Sequence, residues 1–277
     1  MTEKKDNEET DKIVNEVISQ NILRHTIQFF IKGEKRLEPF ASGVFVKIYN
    51  DYFIFTASHV ADYFEKYEEK NLHIRVGEKS YINVIGDIKY TDIQKSKGID
   101  LAYIKLDNQM VDPLLKPYIP LTIDKIRSHH NPFNAMNYCV LGYPEKNVSK
   151  ESEPLETGAS YYLTSASKEK VYDYYKYDKK DNFIVEIQGK GTDIKTNEIK
   201  KINIEFYGIS GCGLWLLNYY NNPDNGKLIV DYRLIGIMTE FKKGKYFCLI
   251  ANKVYSVIEA LKVIEKYVFI EKKIVYK

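Results

Sequence analysis

The 277-residue sequence predicts an all-β chain. Three observations carry that expectation. Short runs rich in β-branched and aromatic residues follow one another along most of the length. Turn-forming Gly, Asn, Asp and Pro separate most of them. Helical patterns do not alternate with these runs, which argues for a sandwich or barrel over a parallel sheet wrapped in helices.

The elements can be justified in order. Residues 1–12 are polar and expected to fray. In "KIVNEVISQNILRH" (12–25), Ile13, Val14, Val17, Ile18 and Ile22 recur at helical spacing, so a short helix is expected. "TIQFFIKG" (26–33) reads as a strand, and "SGVFVKIYNDYFIFTAS" (42–58) as two strands turning at Asn50-Asp51. "LHIRVG", "SYINVIGDIKY", "DLAYIKL", "NYCVLGYP", "SYYLTSA", "NFIVEIQG", "INIEFYG", "CGLWLL", "KLIVDYRLIGIMTEF" and "KYFCLIA" continue the pattern. "ANKVYSVIEALKVIEKY" (251–267) sets Val254, Val257, Ile258, Leu261 and Ile264 on one helical face, with Asn252 placed to cap it. Residues 150–205 mix strand and loop signals and are the hardest to read.

Composition narrows the function. With 44% hydrophobic and 29% charged residues the chain reads as globular, and no segment approaches the roughly 18 apolar residues of a membrane span. Its charged beginning, "MTEKKDNEETDKIV", does not read as a signal peptide. Three cysteines without metal-ligand spacing, Cys139, Cys212 and Cys248, fit free thiols in a reducing, cytoplasmic setting. A net charge of +3 (41 basic minus 38 acidic residues), with both signs mixed along the chain, gives no footprint for nucleic acid. His129-His130 lacks nearby Cys, Asp or Glu at ligand spacing, so no metal and no cofactor is expected.

Three motifs carry chemistry. In "YFIFTASHVADYF" an apolar strand ends just before His59, which suits a base on a rigid support. In "KGIDLAYIKL", Asp100 opens an alternating strand and would need a partner if partly buried. In "YGISGCGLW", Ser210 stands among Gly208, Gly211 and Gly213, where the backbone must turn tightly or admit another group. A serine nucleophile needs a base, a group to orient that base, and donors for the oxyanion. Alone, each residue is better explained as a cap, a turn or a loop. Together, in the order His59, Asp100, Ser210, they fit acyl transfer.

In that order "FTASHV", "GIDLAYIKL" and "GISGCGLW" resemble the histidine, aspartate and serine motifs of the chymotrypsin/trypsin-like serine proteases. "CVLGYP" and "LIGIMTEF…KYFCLIANKVYSVIEAL" resemble the strands and C-terminal helix that follow in that family, so the likeness spans roughly residues 26–267. It implies two six-stranded Greek-key β-barrels packed together, flanked by an N-terminal and a C-terminal helix. The implied parts are 1–25, a polar start and short helix; 26–125, a first barrel with His59 and Asp100; 126–250, a second with Ser210; and 251–277, helix and tail. His59 would then be general base and acid, Asp100 its orienting carboxylate, and Ser210 the nucleophile of a serine endopeptidase. The N–H groups of Gly208 and Ser210 would form the oxyanion hole. Thr239 falls where the family often has a serine bonded to the aspartate. Glu205, Thr239, Glu240 and Phe241 would line the substrate pocket, a glutamate there favouring a basic side chain and Phe241 narrowing it.

The chain also departs from the pattern. Ile209 stands where secreted, zymogen-type members have an aspartate that pairs with a newly cut N-terminus, and no ion pair of that kind can form. Cys212 replaces a residue that is usually glycine or small, and is expected to pack beneath the loop. The family's disulfides are missing, which resembles the bacterial or intracellular branch. The expected partner is a protein or peptide substrate, with an activating protein a further candidate and no nucleic acid or membrane. The competing reading is a catalytically silent protease fold that binds a protein. Substrate, trigger and oligomeric state are not written in the sequence.

Overall fold

In the computed structural model, residues 2–66, 72–92, 98–133, 137–144, 148–149, 156–187, 190–196, 198–201 and 206–269 are described. The chain opens with helix α1 (Thr2–Val17), passes through a π-helical turn (Ile18–Ile22) and closes with α2 (Leu23–His25). The apolar spacing of 12–25 is met, and the helix reaches back over the residues expected to fray. Val14, Ile18 and Ile22 are buried, and this packing holds the helix.

The first sheet is built from β1 (Thr26–Lys32), β2 (Leu37–Ile48), β3 (Asp51–Thr56), β4 (His73–Arg75), β5 (Tyr81–Asn83), β6 (Gly86–Tyr90), β7 (Ala102–Leu106) and β8 (Leu121–Thr122). Its order is β5-β4-β1-β2-β3-β7-β6, with β8 lying parallel against β2. The β2–β3 hairpin turns at Tyr49–Asn50, one residue earlier than the Asn-Asp signal, because Ile48 pairs with Asp51. Helix α3 (Ser58–Lys66) follows β3 directly, and α4 (Asn108–Leu115) follows β7.

The second sheet contains β9 (Tyr138–Gly142), β12 (Ser160–Thr164), β13 (Asn182–Glu186), β14 (Lys190–Asp193), β15 (Ile199–Lys201), β16 (Gly213–Asn221), β17 (Leu228–Lys243) and β18 (Phe247–Lys253). They run in the order β13-β18-β17-β16-β9-β12-β14-β15, while β10 (Val148–Ser149) and β11 (Glu156–Thr157) form a separate hairpin. Each large sheet counts eight strands, short edge pieces included. The architecture is all-β.

Three large clusters and a smaller fourth fill the interior. Ile27, Phe29, Phe45, Ile54 and Ile104 pack inside the first sheet. Tyr138, Phe183, Leu214, Met238 and Leu249 pack inside the second. Between the sheets, Val44, Phe55, Leu141, Trp215 and Ile237 meet the helix residues Ile18, Val257 and Leu261. Burial of each large apolar side chain there contributes about 1.5–3 kcal/mol.

Helix α5 (Glu169–Tyr175) is absent from the sequence expectation. Its tyrosines carry strand propensity, but Val171 and Tyr172 are buried with Ile184 and Ile250, and that contact selects the helix. Helix α6 (Tyr255–Ile264) starts later than expected. Ala251–Lys253 remain in β18, paired with β13 and β17, so Asn252 is a strand residue and does not cap the helix.

His25 ties this assembly together. Its Nδ1 lies 2.7 Å from the Ile119 carbonyl, so Nδ1 donates, and Nε2 accepts from the Tyr232 hydroxyl at 2.9 Å. Burial lowers the pKa of His25 and His73, and burial followed by the charges of Arg127 and Lys253 pushes His130 down to about 4. These histidines are neutral in the fold and regain their ordinary value of 6.5 on unfolding. Their stabilisation is therefore complete above pH 6.5 and is lost as pH falls from there through the folded values. The urea midpoint should drop between pH 7 and 5, and the drop should shrink in a His25→Gln/His130→Gln variant. An equal drop in that variant would show that other groups carry it.

Candidate active site

His59 and Asp100 meet at the open end of the first sheet. β3 delivers His59 through Thr56-Ala57-Ser58 into the first turn of α3, and Asp100 lies two residues before β7, the neighbour of β3. His59 Nδ1 is 2.6 Å from Asp100 Oδ2, and the His59 backbone N–H donates to Asp100 Oδ1 at 3.0 Å. The carboxylate thus accepts from ring and backbone of one residue. This orients the imidazole, puts a proton on Nδ1 and leaves Nε2 free to accept. The aspartate side chain is 16% exposed and the histidine 41%, so a partly buried acid supports an accessible base.

The segment carrying Asp100 is braced by residues to which the sequence assigns no role at the site. The Asp100 N–H donates to Asn252 Oδ1 at 2.7 Å, and Asn252 Nδ2 donates to Asn182 Oδ1 at 2.7 Å. Thr91 Oγ1 donates to the Ile99 carbonyl at 2.6 Å and accepts from the Leu101 N–H at 3.0 Å. Thr239 is not a partner of Asp100; its hydroxyl donates to the Ile250 carbonyl at 3.3 Å. In this fold the buried amide of Asn252 reaches the aspartate segment from the second sheet.

Ser210 arrives on the loop before β16. The Ile209 N–H donates to the Phe206 carbonyl at 3.3 Å, closing a turn over Phe206–Ile209 with Gly208 third at φ +88°. A positive φ there defines a type II turn, which glycine adopts without strain. Among the described residues, neither the Gly208 nor the Ser210 N–H donates to a backbone carbonyl. These are the two groups expected to form the oxyanion hole.

Ser42 on β2 clamps the loop from the first sheet. Its N–H donates to the Ser210 carbonyl and its hydroxyl to the Gly208 carbonyl, each at 2.8 Å, while its own carbonyl accepts from Thr56 Oγ1 at 2.8 Å. Within the second sheet the Gly211 N–H donates to Met238 and the Met238 N–H to Cys212. Ser210 thereby sits against the end of β3, where Thr56 precedes His59 by three residues. Ser210 Oγ and His59 form no hydrogen bond in this structure. Such catalytic contacts commonly close only when substrate binds.

Ile209 is 2% exposed and packs with Phe206, Cys212 and Leu214. Cys212 is fully buried, and burial pushes its thiol well above the usual range, so it packs rather than reacts. Beside Ser210 a cavity of about 20 Å³ is lined by Phe206, Ile209, Met238, Thr239, Glu240, Phe241 and Leu249. Glu240 is exposed, accepts from the Tyr177 hydroxyl and pairs with Lys242. Glu205 lies outside the described residues.

Solved structures share this architecture. The scabies mite inactivated protease paralogue S-D1 matches with a TM-score of 0.53 at 15% identity, covering 90% of this chain and 95% of that one. The scabies mite paralogue S-I1, also inactivated, gives 0.52 at 12% identity, and the protein GrC 0.51 at 14%, each covering 88% of this chain and 95% of its own. No family model and no curated protein matches the sequence. The chain therefore has the chymotrypsin-like two-barrel fold of serine protease homologues. At these identities the likeness establishes the fold, and the chemistry must be argued from this chain's own residues.

Gly211 tests the seam between the sheets. At φ +86°, a Cβ there would lie 2.0 Å from the Ser42 carbonyl oxygen and 2.2 Å from Thr56 Oγ1. Gly211→Ala is expected to destabilise the protein by roughly 2–5 kcal/mol, from the left-handed backbone and the overlap together. Urea unfolding measures this. A loss under about 1 kcal/mol would mean that the seam is not tightly closed.

Proposed function

We propose that the protein is a serine endopeptidase that cleaves a protein or peptide substrate through an acyl-enzyme. The observation that carries this reading is the His59–Asp100 pair, with a 2.6 Å ring contact and a second bond from the histidine's own N–H. His59 Nε2 takes the Ser210 Oγ proton as that oxygen attacks the carbonyl carbon of the peptide bond, and Asp100 stabilises the imidazolium formed. The Gly208 and Ser210 N–H groups receive the negative charge that develops on the carbonyl oxygen. The imidazolium returns its proton to the leaving amine, and water then hydrolyses the ester. Three buried, free cysteines and the motif pattern support a place among bacterial or intracellular peptidases of a reducing compartment.

The intact chain should be labelled by a serine-reactive fluorophosphonate. Labelling should vanish in Ser210→Ala and slow by about three to four orders of magnitude in Asp100→Asn. It should slow several-fold in Ser42→Ala, which loses one hydrogen bond to the loop. A second reading, a silent scaffold that binds a protein, is favoured by the open Ser210–His59 link and by the two inactivated paralogues of the same fold. No labelling, with or without cell extract, would decide for the scaffold.

We further propose a preference for small uncharged residues on the acyl side of the cut bond. Among the described residues the cavity of about 20 Å³ has room for a methyl-sized group, and its lining is apolar apart from Ser210, Thr239 and Glu240, the last paired with Lys242. In a library of peptides varied at that position, Gly, Ala and Ser should lead, and Phe241→Ala should extend cleavage to Val and Leu. Preferential cutting after Lys or Arg would overturn this assignment and restore the acidic pocket.

A further inference from the structure

A second concavity shares no residue with the serine loop or the cavity beside it. It measures about 750 Å³ and lies where four segments converge. The 127–133 connection between the sheets forms one wall, and the turn ahead of β13 brings Lys179 and Lys180. Leu216 and Asn218 of β16 form the floor, and Lys253 and Tyr255 come from the junction of β18 with α6.

Its charge is one-sided. Arg127, Lys179, Lys180 and Lys253 line it, and among the described residues no carboxylate does. Lys179 is paired with Glu169. Among the described residues Arg127, Lys180 and Lys253 have no ion pair. Asp178 and Asp181 act on Lys253 from outside the lining, yet burial wins and lowers its pKa. The buried His130 at the cleft wall registers the same field, since Arg127 and Lys253 reinforce the effect of burial in keeping it neutral. A protein whose net charge is only +3 thus gathers three cations without an ion pair in one hollow. Like charges so placed repel, and a bound anion relieves that repulsion.

The remaining lining is suited to a flat, polar molecule. Phe133 is 42% exposed at the rim. The His129 and Tyr255 rings pack with centroids 4.9 Å apart. Ser128, Asn131 and Asn218 add neutral hydrogen-bonding groups. A volume within the range of small-ligand pockets, exposed aromatic surface and a cationic end fit a base joined to phosphates better than a bare anion or a peptide chain.

We propose that this cleft binds a nucleotide, with Arg127, Lys180 and Lys253 on the phosphate oxygens and Phe133 stacked on the base. The inference stands whether or not Ser210 is catalytic.

Calorimetry on the full chain at low salt tests it, with ATP, tripolyphosphate, adenosine and a polyglutamate peptide as separate probes. ATP should bind in the micromolar range and tripolyphosphate about tenfold more weakly, for want of a stacked base. Adenosine and polyglutamate should give no measurable binding. Arg127→Gln/Lys180→Gln/Lys253→Gln should weaken ATP at least tenfold without lowering the melting temperature. Lys180→Gln alone, on an exposed turn, should show a smaller loss in the same direction, and Phe133→Ala should close the gap between ATP and tripolyphosphate. Absence of ATP binding at millimolar concentration, or unchanged binding by the triple variant, would overturn the proposal. Equal binding of polyglutamate and ATP would overturn it too, leaving a general anion patch.

Discussion

The close seating of the serine loop on β2 is the contact on which the candidate site depends. The loop belongs to the second sheet, while the histidine and aspartate belong to the first. Two Ser42 donors hold the Gly208 and Ser210 carbonyls, and Gly211 leaves no room for a side chain between Ser42 and Thr56. Each bond contributes on the order of 1 kcal/mol by itself. Their value lies in geometry: they fix a serine from one sheet against the end of the strand that delivers His59. They also hold both loop carbonyls against the first sheet, while the Gly208 and Ser210 N–H groups donate to no backbone carbonyl among the described residues.

The aspartate side is organised by the same device in reverse. Asp100 lies on the first sheet, but its backbone is held by Asn252 of the second, whose amide is fixed by Asn182. A buried amide is costly unless its partners are all in place. Asn252 satisfies that demand only when β13, β18 and the 98–101 segment are assembled together. The two sheets thus exchange supports, Ser42 steadying the serine loop and Asn252 steadying the acid, and the site exists only in the docked pair.

This exchange explains what was legible in the sequence. Strands showed as local alternation, and His59, Asp100 and Ser210 showed because each sits in a short motif with a fixed relation to a strand end. The site roles of Ser42 and Asn252 were invisible: their partners lie 166 and 152 residues away, nothing around Ser42 marks it, and Asn252 was read as a helix cap. Thr239 was expected to bond Asp100, but its hydroxyl donates to Ile250 instead, and the polar group that reaches this segment from the second sheet is Asn252, on the backbone N–H and not on the carboxylate. Helix α5 was missed because its tyrosines favour a strand locally and only packing against Ile184 and Ile250 decides otherwise. The hollow around Arg127 and Lys253 was hidden for the same reason, since charge that looks evenly mixed along the chain is sorted by folding.

Ile209 settles how the loop can be ordered without an ion pair. An aspartate at this position would have to bury a charge and find a partner for it, so its order would depend on that partner. Isoleucine instead enters the second core, 2% exposed among Phe206, Cys212 and Leu214. Burial of this kind contributes about 1.5–3 kcal/mol and needs no counter-charge. It pulls on the residue between Gly208 and Ser210 from the second sheet, while Ser42 holds the carbonyls on either side from the first. The type II turn with Gly208 at positive φ is the conformation that satisfies both pulls. The loop is therefore set by packing and two hydrogen bonds that form as the sheets dock, and Ile209 makes no ion pair.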